Sequence, residues 1–132
     1  MIRTYVDAGV LITAARGVAP IAIKAIEILD DPNREFVSGI FLKLEILPKA
    51  VYYKNEAEAE FYHTFFNTVT RWADSLNAVA QEAFKEACRS GLAAMDALHI
   101  ASAVSVGAEE LVTTVRAEKP IHRTTLIRVV SI

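Results

Sequence analysis

One cysteine, Cys88, stands in a chain of 132 residues, which excludes an internal disulfide and any zinc site built from several thiolates. Its setting, Ala87-Cys88-Arg89 inside a helical pattern, reads as a small buried apolar side chain. Glycine and proline are scarce, at 5 and 4 residues, and no linker, repeat or low-complexity tract divides the sequence. Long apolar runs are missing as well. The longest uncharged stretch lies between Asp96 and Glu109, short of the about 20 apolar residues that a bilayer span needs. The opening, Met1 to Asp7, has no secretory hydrophobic segment because an aspartate interrupts it. A reduced cytoplasmic protein without a membrane span is therefore expected. An excess of one charge is absent too: 14 Lys and Arg stand against 16 Asp and Glu, a formal charge of −2. That excludes a protein that holds nucleic acid through bulk positive charge. It leaves open a nucleic-acid enzyme with a local acidic site, where metal ions would bring the positive charge.

What the sequence has is apolar residues, 53% against 23% charged, enough for a core and too many for a disordered chain. The length suits one domain over residues 1–132. Tyr5-Val6 and Val10-Leu11-Ile12 read as β-prone, with Asp7-Ala8-Gly9 as a turn between them. Pro20 suits the start of a helix to about Leu29, and Phe36-Val37-Ser38 reads as a second strand. A helical pattern from Ile40 to about Lys54 contains Pro48 as a kink or break. A long helix is expected from Glu56 to Trp72, with Phe61, Phe65, Val69 and Trp72 on one face. Ser75 is placed to cap a further helix, whose apolar line is Leu76, Val79, Ala80, Ala83, Phe84 and Ala87, ending near Gly91. Another helix runs from about Ala93 to Val106, and Leu111–Thr114 and Leu126–Val130 read as strands. Short strands separated by helices give a mostly parallel sheet covered on both sides, an α/β fold.

Three carboxylates lie in apolar company. Asp7 follows Tyr5-Val6 at the carboxyl end of the first strand, where open α/β sheets place their ligands. Glu45 lies among Leu42, Leu44, Ile46 and Leu47, just after the second strand. Asp96 lies on the first turn of a helix, between Met95 and Ala97. Each has a plain explanation: a turn cap, a solvated helix edge, a complement to a helix dipole. Their joint placement at element ends points instead to one acidic pocket.

These motifs carry a resemblance. Thr4 through Ile12 (TYVDAGVLI) resembles the opening motif of the PIN-domain family, and Met95 through Ala103 (MDALHIASA) resembles that family's third acidic motif. Ser38 through Glu45 is similar to the segment carrying the family's glutamate, and Leu111-Val112-Thr113-Thr114 to the strand before its fourth acidic position. The resemblance implies a three-layer α/β/α sandwich and a metal-dependent ribonuclease acting on single-stranded RNA. Toxins of type II toxin–antitoxin pairs belong to the family, so an antitoxin partner is implied too. It carries catalytic and metal-ligand roles for Mg²⁺ or Mn²⁺ to Asp7, Glu45 and Asp96. Hard divalent cations take oxygen ligands, so these residue types suit that chemistry.

Two positions depart from the family's pattern. Gly9 stands where Asn, Ser or Thr is usual, so a group that orients the first carboxylate is missing. Val115 stands where the fourth acid is usual. Glu118, three residues on, either reaches the pocket by another loop path or is a solvated charge beside Lys119. The loss at Val115 sustains an alternative, a weak or inactive PIN module that binds nucleic acid or a protein partner. His99 shares a helix with Asp96 and reads as packed near the sheet rather than as a ligand. Arg116, Lys119, Arg123 and Arg128 form a small basic cluster expected near the pocket rim. A homodimer is expected from the aromatic surface between Phe61 and Trp72, and from the resemblance.

Overall fold

The computed structural model describes residues 1–17 and 20–132. Its strands are β1 (Ile2–Val6), β2 (Arg34–Gly39), β3 (Arg71–Ala73), β4 (Glu110–Thr113) and β5 (Arg128–Ser131). Its helices are α1 (Ala8–Arg16), α2 (Ile21–Leu29), α3 (Ile40–Tyr52), α4 (Glu56–Thr68), α5 (Leu76–Ser90) and α6 (Ala94–Ser105), with a 3₁₀ turn at Pro120–Arg123. All strands pair in parallel, in the order β3-β2-β1-β4-β5. Tyr5 stands opposite both Val37 and Leu111, so β1 is the centre of the sheet. Right-handed crossovers then put the helices between β1 and β3 on one face and α5 and α6 on the other. The contacts agree: α1 packs against α2, α3 and α4, while α6 packs against α5, β2, β3 and β4. This is the expected three-layer sandwich.

Central strands of such a sheet are apolar on both faces. Tyr5, Val6, Val37, Leu111 and Val112 are fully buried, joined from the helices by Val10, Leu11, Leu42 and Ile100. Each side chain of this size stabilises the fold by about 1.5–3 kcal/mol on full burial. Gly39 marks the tightest packing beside β2. A Cβ there would sit 3.3 Å from the Ala73 Cβ and from the Ser102 Cβ, so its absence lets β3 and α6 close on the start of α3.

Several sequence expectations are corrected. Val10-Leu11-Ile12 is helical, not extended, because Asp7 caps α1: the Val10 amide donates to Asp7 Oδ1 at 3.2 Å. Val10, Leu11 and Ala14 then fall on its buried face. Pro48 sits inside α3 without ending it. The long aromatic helix stops at Thr68, where the β-branched run Thr68-Val69-Thr70 disfavours helix, and the Thr70 amide donates to the Phe36 carbonyl. Trp72 is therefore on the edge strand β3, 37% exposed, with Lys43 Nζ 5.8 Å from its ring centroid. Tyr62, Phe65 and Phe66 are buried and Phe61 is partly so, which removes the aromatic surplus that suggested a dimer. On α5 the buried positions are Val79, Ala83 and Glu86, while Phe84 is 72% exposed and Cys88 is exposed rather than buried. Ser75 precedes α5 but its side chain makes no cap hydrogen bond. No single helix among the described residues is long and apolar enough to cross a membrane.

Candidate functional site

The strand order reverses direction between β1 and β4, the switch point at which open α/β sheets hold ligands beyond the strands' carboxyl ends. Asp7 stands there, 8% exposed. Its backbone amide donates to the Val112 carbonyl at 3.0 Å, extending the β1–β4 ladder by one residue. Its Oδ1 accepts from the Val10 amide, and its Oδ2 accepts from the Thr113 hydroxyl. That hydroxyl accepts in turn from the Val115 amide at 3.0 Å, so its proton is directed at Asp7. Cap and site are one residue: the hydrogen bond that starts α1 also fixes the carboxylate.

α3 leaves β2 directly and α6 runs back toward β4, so their first turns lie at the same edge of the sheet. Glu45 is on the second turn of α3, its side chain 34% exposed, with Oε2 2.7 Å from His99 Nε2. Asp96 is half-buried on the first turn of α6. Burial raises the Asp7 pKa above the usual carboxylate range; hydrogen bonds from Thr113 and Val10 and the nearby His99 oppose this, and Glu45 adds to it. Burial likewise raises that of Asp96, with His99 opposing and Glu45 adding. Both aspartates thus feel the same glutamate and the same histidine. Among the described residues, neither has a lysine or arginine partner. Nor do any three His, Cys, Asp or Glu side chains among them stand at direct metal-holding distances. The arrangement is a group of neighbouring, cation-poor carboxylates, not a closed cage.

The fourth position is locked away from acid chemistry. The Val115 carbonyl accepts from His122 Nε2 at 2.9 Å and from the Ser131 hydroxyl at 2.8 Å, which pins this segment to the 3₁₀ turn and to β5. Glu118 points into solvent and pairs with Arg116 at 3.0 Å, so it is not brought to the pocket. The expected basic cluster disperses too. Arg116 is held by Glu118, Arg123 reaches the Ser90 carbonyl, and Arg128 begins β5 at the opposite edge of the sheet. The cations near the acids come from elsewhere: Arg16 and Lys49 line a cavity of about 420 Å³ that also touches Glu45, Tyr53 and Glu58.

Sequence reasoning missed two features. A Cβ at Gly9 would meet Thr114 Oγ1 at 2.1 Å and Asp7 Oδ1 at 3.4 Å, so the Thr114 hydroxyl fills the space of the side chain absent at residue 9. The polar group that Gly9 lacks is thereby returned to the same place from the end of β4. Tyr5 is the second feature: its hydroxyl lies 2.7 Å from His99 Nδ1, deep in the core. The signal was a tyrosine two residues before the aspartate on a strand buried on both faces, where a phenol needs a partner.

No family model and no curated protein matches the sequence. Solved structures do match in shape. VapBC2 from Rickettsia felis, bound to a DNA fragment from their promoter, aligns with TM-score 0.73 and 13% identity over 99% of this chain and 99% of that chain. DNA-bound VapBC from Salmonella typhimurium aligns with TM-score 0.70 and 18% identity, over 99% and 98%. PAE2754 from Pyrobaculum aerophilum aligns with TM-score 0.61 and 19% identity, over 98% and 91%. At such identities the likeness speaks for architecture alone. Spanning almost all of each chain, and joined to a parallel sheet with its acids at the β1–β4 edge, it establishes that this chain has the PIN-domain fold.

Proposed function

We propose that this chain is a divalent-metal-dependent endoribonuclease that cuts single-stranded RNA, working in the cytoplasm as the toxin of a toxin–antitoxin pair. The observation that carries this reading is Asp7, a buried carboxylate at the topological switch point that, among the described residues, has no lysine or arginine partner. A buried charge without a partner is costly, and a cation removes that cost. Asp7, Glu45 and Asp96 are the ligands and catalytic residues in this reading, and Mg²⁺ or Mn²⁺ suits their all-oxygen donor set. Mg²⁺ keeps several waters and takes one or two carboxylates, which fits acids that neighbour one another without forming a cage. When bound, the cation supplies positive charge against the scissile phosphate and lowers the pKa of the attacking water. The Val10 amide and the Thr113 hydroxyl orient Asp7, and Lys49 in the adjoining cavity attracts the RNA backbone, while Arg16 beside it is held by Glu58.

The antitoxin partner is supported by the VapBC complexes among the similar folds and by α3, whose Leu44, Val51 and Tyr52 are exposed around an apolar groove. A homodimer is part of the proposal through the resemblance alone, and a monomeric mass in light scattering at micromolar concentration removes it. Val115 favours one other reading, a PIN module that binds RNA or a partner without cutting. Incubation of a mixed RNA pool with Mn²⁺, Mg²⁺ or EDTA, beside Asp7→Asn, separates the two. Fragments with either cation, and none with EDTA or in the variant, are expected. Binding without fragments selects the inactive module, and fragments that survive both controls belong to another nuclease.

A further inference from the structure

Tyr5, His99 and Glu45 come from three elements, β1, α6 and α3, and meet in one line. Tyr5 is fully buried and its hydroxyl has one partner among the described residues, His99 Nδ1 at 2.7 Å. His99 is 3% exposed, and its Nε2 lies 2.7 Å from Glu45 Oε2. Both ring nitrogens are used, on opposite sides, so turning the ring over would put carbon against both oxygens. The donor roles follow from the ends of the line. A carboxylate only accepts, so Nε2 carries the hydrogen; a phenol with no other acceptor must donate, so Nδ1 is bare. We infer that His99 is a positioning residue for Glu45, held as its Nε2–H tautomer by Tyr5, so that Glu45 Oε2 is fixed and Oε1 is presented to the cation.

The inference rests on the reading of Glu45 as a cation ligand. It does so with a device known from other metal centres, where a hydrogen bond to the far side of a ligand sets its orientation. Here the order is reversed: the histidine supports and the carboxylate binds. Among the described residues, Oε1 has no protein hydrogen-bond donor. The line also ties α3 to α6, the two helices whose opening turns carry Glu45, on the second turn of α3, and Asp96, on the first turn of α6, across the end of the sheet. His99 therefore fixes the spacing of two acids at once. This explains a histidine buried in a motif where an apolar residue would pack as well.

Two substitutions of equal polarity divide positioning from packing. In His99→Gln the amide nitrogen reaches the place of Nε2 and still donates to Glu45. In His99→Asn the shorter side chain stays near Tyr5 and leaves Glu45 unheld. Mn²⁺ titration of the full chain, followed by the electron paramagnetic resonance of free Mn²⁺, should show affinity about 10- to 100-fold weaker for His99→Asn, the usual cost of losing such support. His99→Gln should recover most of it, and Asp7→Asn reports on the site itself. Equal affinities for the Gln and Asn variants overturn the positioning role while leaving the metal reading intact. Absence of Mn²⁺ binding in the unsubstituted chain overturns both. Should a variant fail to fold, the ¹⁵N spectrum of His99 in the unsubstituted chain decides. A hydrogen on Nε2, facing Glu45, supports the inference, and an Nδ1–H ring with Nε2 bare overturns it.

Discussion

The two edges of the sheet treat buried acids in opposite ways. At the amino edge Glu110 is buried at the start of β4, accepting from Arg34 Nε and from the Thr4 hydroxyl, both at 2.9 Å, while Arg34 also holds Asp31. Beyond the sheet the rule continues: buried Glu58 holds Arg16, Tyr62 and Asn55, and buried Glu86 holds Arg89, Ser90 and Thr124. At the carboxyl edge Asp7 is as deeply buried, and its partners are one amide and one hydroxyl. Structural acids in this protein are each given an arginine; the acid at the switch point is not. The difference is what the proposed cation site requires, a buried acid that the chain leaves without an arginine of its own.

The comparison breaks most visibly from the amino side. Arg34→Met removes the cation from Glu110 and leaves a buried charge with only the Thr4 hydroxyl to hold it, a change that typically costs about 3–5 kcal/mol. Urea unfolding should show a loss of that size. Metal-dependent cleavage per folded molecule should be unchanged, because Arg34 lies at the far end of β2. A stability loss below about 1 kcal/mol would mean that arginines are incidental to the buried acids, and the contrast between the edges would lose its meaning.

Next in size is the fourth acidic position. Val115→Asp adds an oxygen donor beside Thr113 and should tighten Mn²⁺ binding by about tenfold or more, with a matching gain in cleavage. Glu118→Gln should leave both unaltered, since Glu118 is solvent-exposed and engaged with Arg116. Paired Mn²⁺ titrations check this. Loss of binding in Glu118→Gln together with no gain in Val115→Asp would show that the loop carries its acid to the pocket in solution.

Most of this architecture was legible from the residues. Alternating short apolar runs and helical periods marked four of the five strands and the sandwich. They failed where tertiary contacts outvoted local pattern. Val10-Leu11-Ile12 looks like a strand, yet Asp7 beneath it caps a helix and three apolar residues in a row serve either state. Trp72 continues a helical spacing from Phe61, yet β2 recruits Arg71–Ala73 as an edge strand. The placement of Asp7, Glu45 and Asp96 at one edge follows from topology, which the motifs encode. The supports do not, because Tyr5 and His99 are far apart in sequence and meet only when α6 lies across β1. Thr114 standing in the space above Gly9 is likewise a contact between chain segments, invisible one residue at a time.

A smaller effect sharpens the comparison by its sign. Burial raises the pKa of Asp7 above its unfolded value of 3.8, so between the two the folded state binds more protons than the unfolded one. Stability therefore falls as pH rises from 3.8 through the folded-state value, and is flat beyond it. Asp7→Asn removes that term. Without metal the variant should be more stable than the parent at neutral pH, with the advantage fading as the pH falls through the folded-state value and gone below 3.8. Thermal melts in EDTA from pH 3 to pH 8 check this. Added Mn²⁺ should reverse the order by stabilising only the parent. A variant less stable than the parent at neutral pH would place Asp7 with the structural acids.

The smallest effect concerns Gly9 and Thr114, which the site uses as a pair. Gly9 lies in the first turn of α1, where alanine should be better than glycine by up to about 1 kcal/mol because it restricts the unfolded chain. In the parent that gain is unavailable: the new Cβ would meet Thr114 Oγ1 at 2.1 Å. The obstacle is a side-chain hydroxyl that can rotate, so the cost of Gly9→Ala should be modest, about 1 kcal/mol, at the low end for an overpacked site. In a Thr114→Ala background the hydroxyl is gone, and what remains is the 3.3 Å approach to the Thr114 Cβ, which a small shift relieves. The same substitution should then become neutral or stabilising. A urea double-mutant cycle measures the coupling, expected at about 1–2 kcal/mol in favour of the double variant. Additive single changes would mean that Thr114 does not occupy the space over residue 9 in solution. The hydroxyl would then have no part in shaping the carboxyl edge, and Asp7 would rely on Thr113 and the Val10 amide alone.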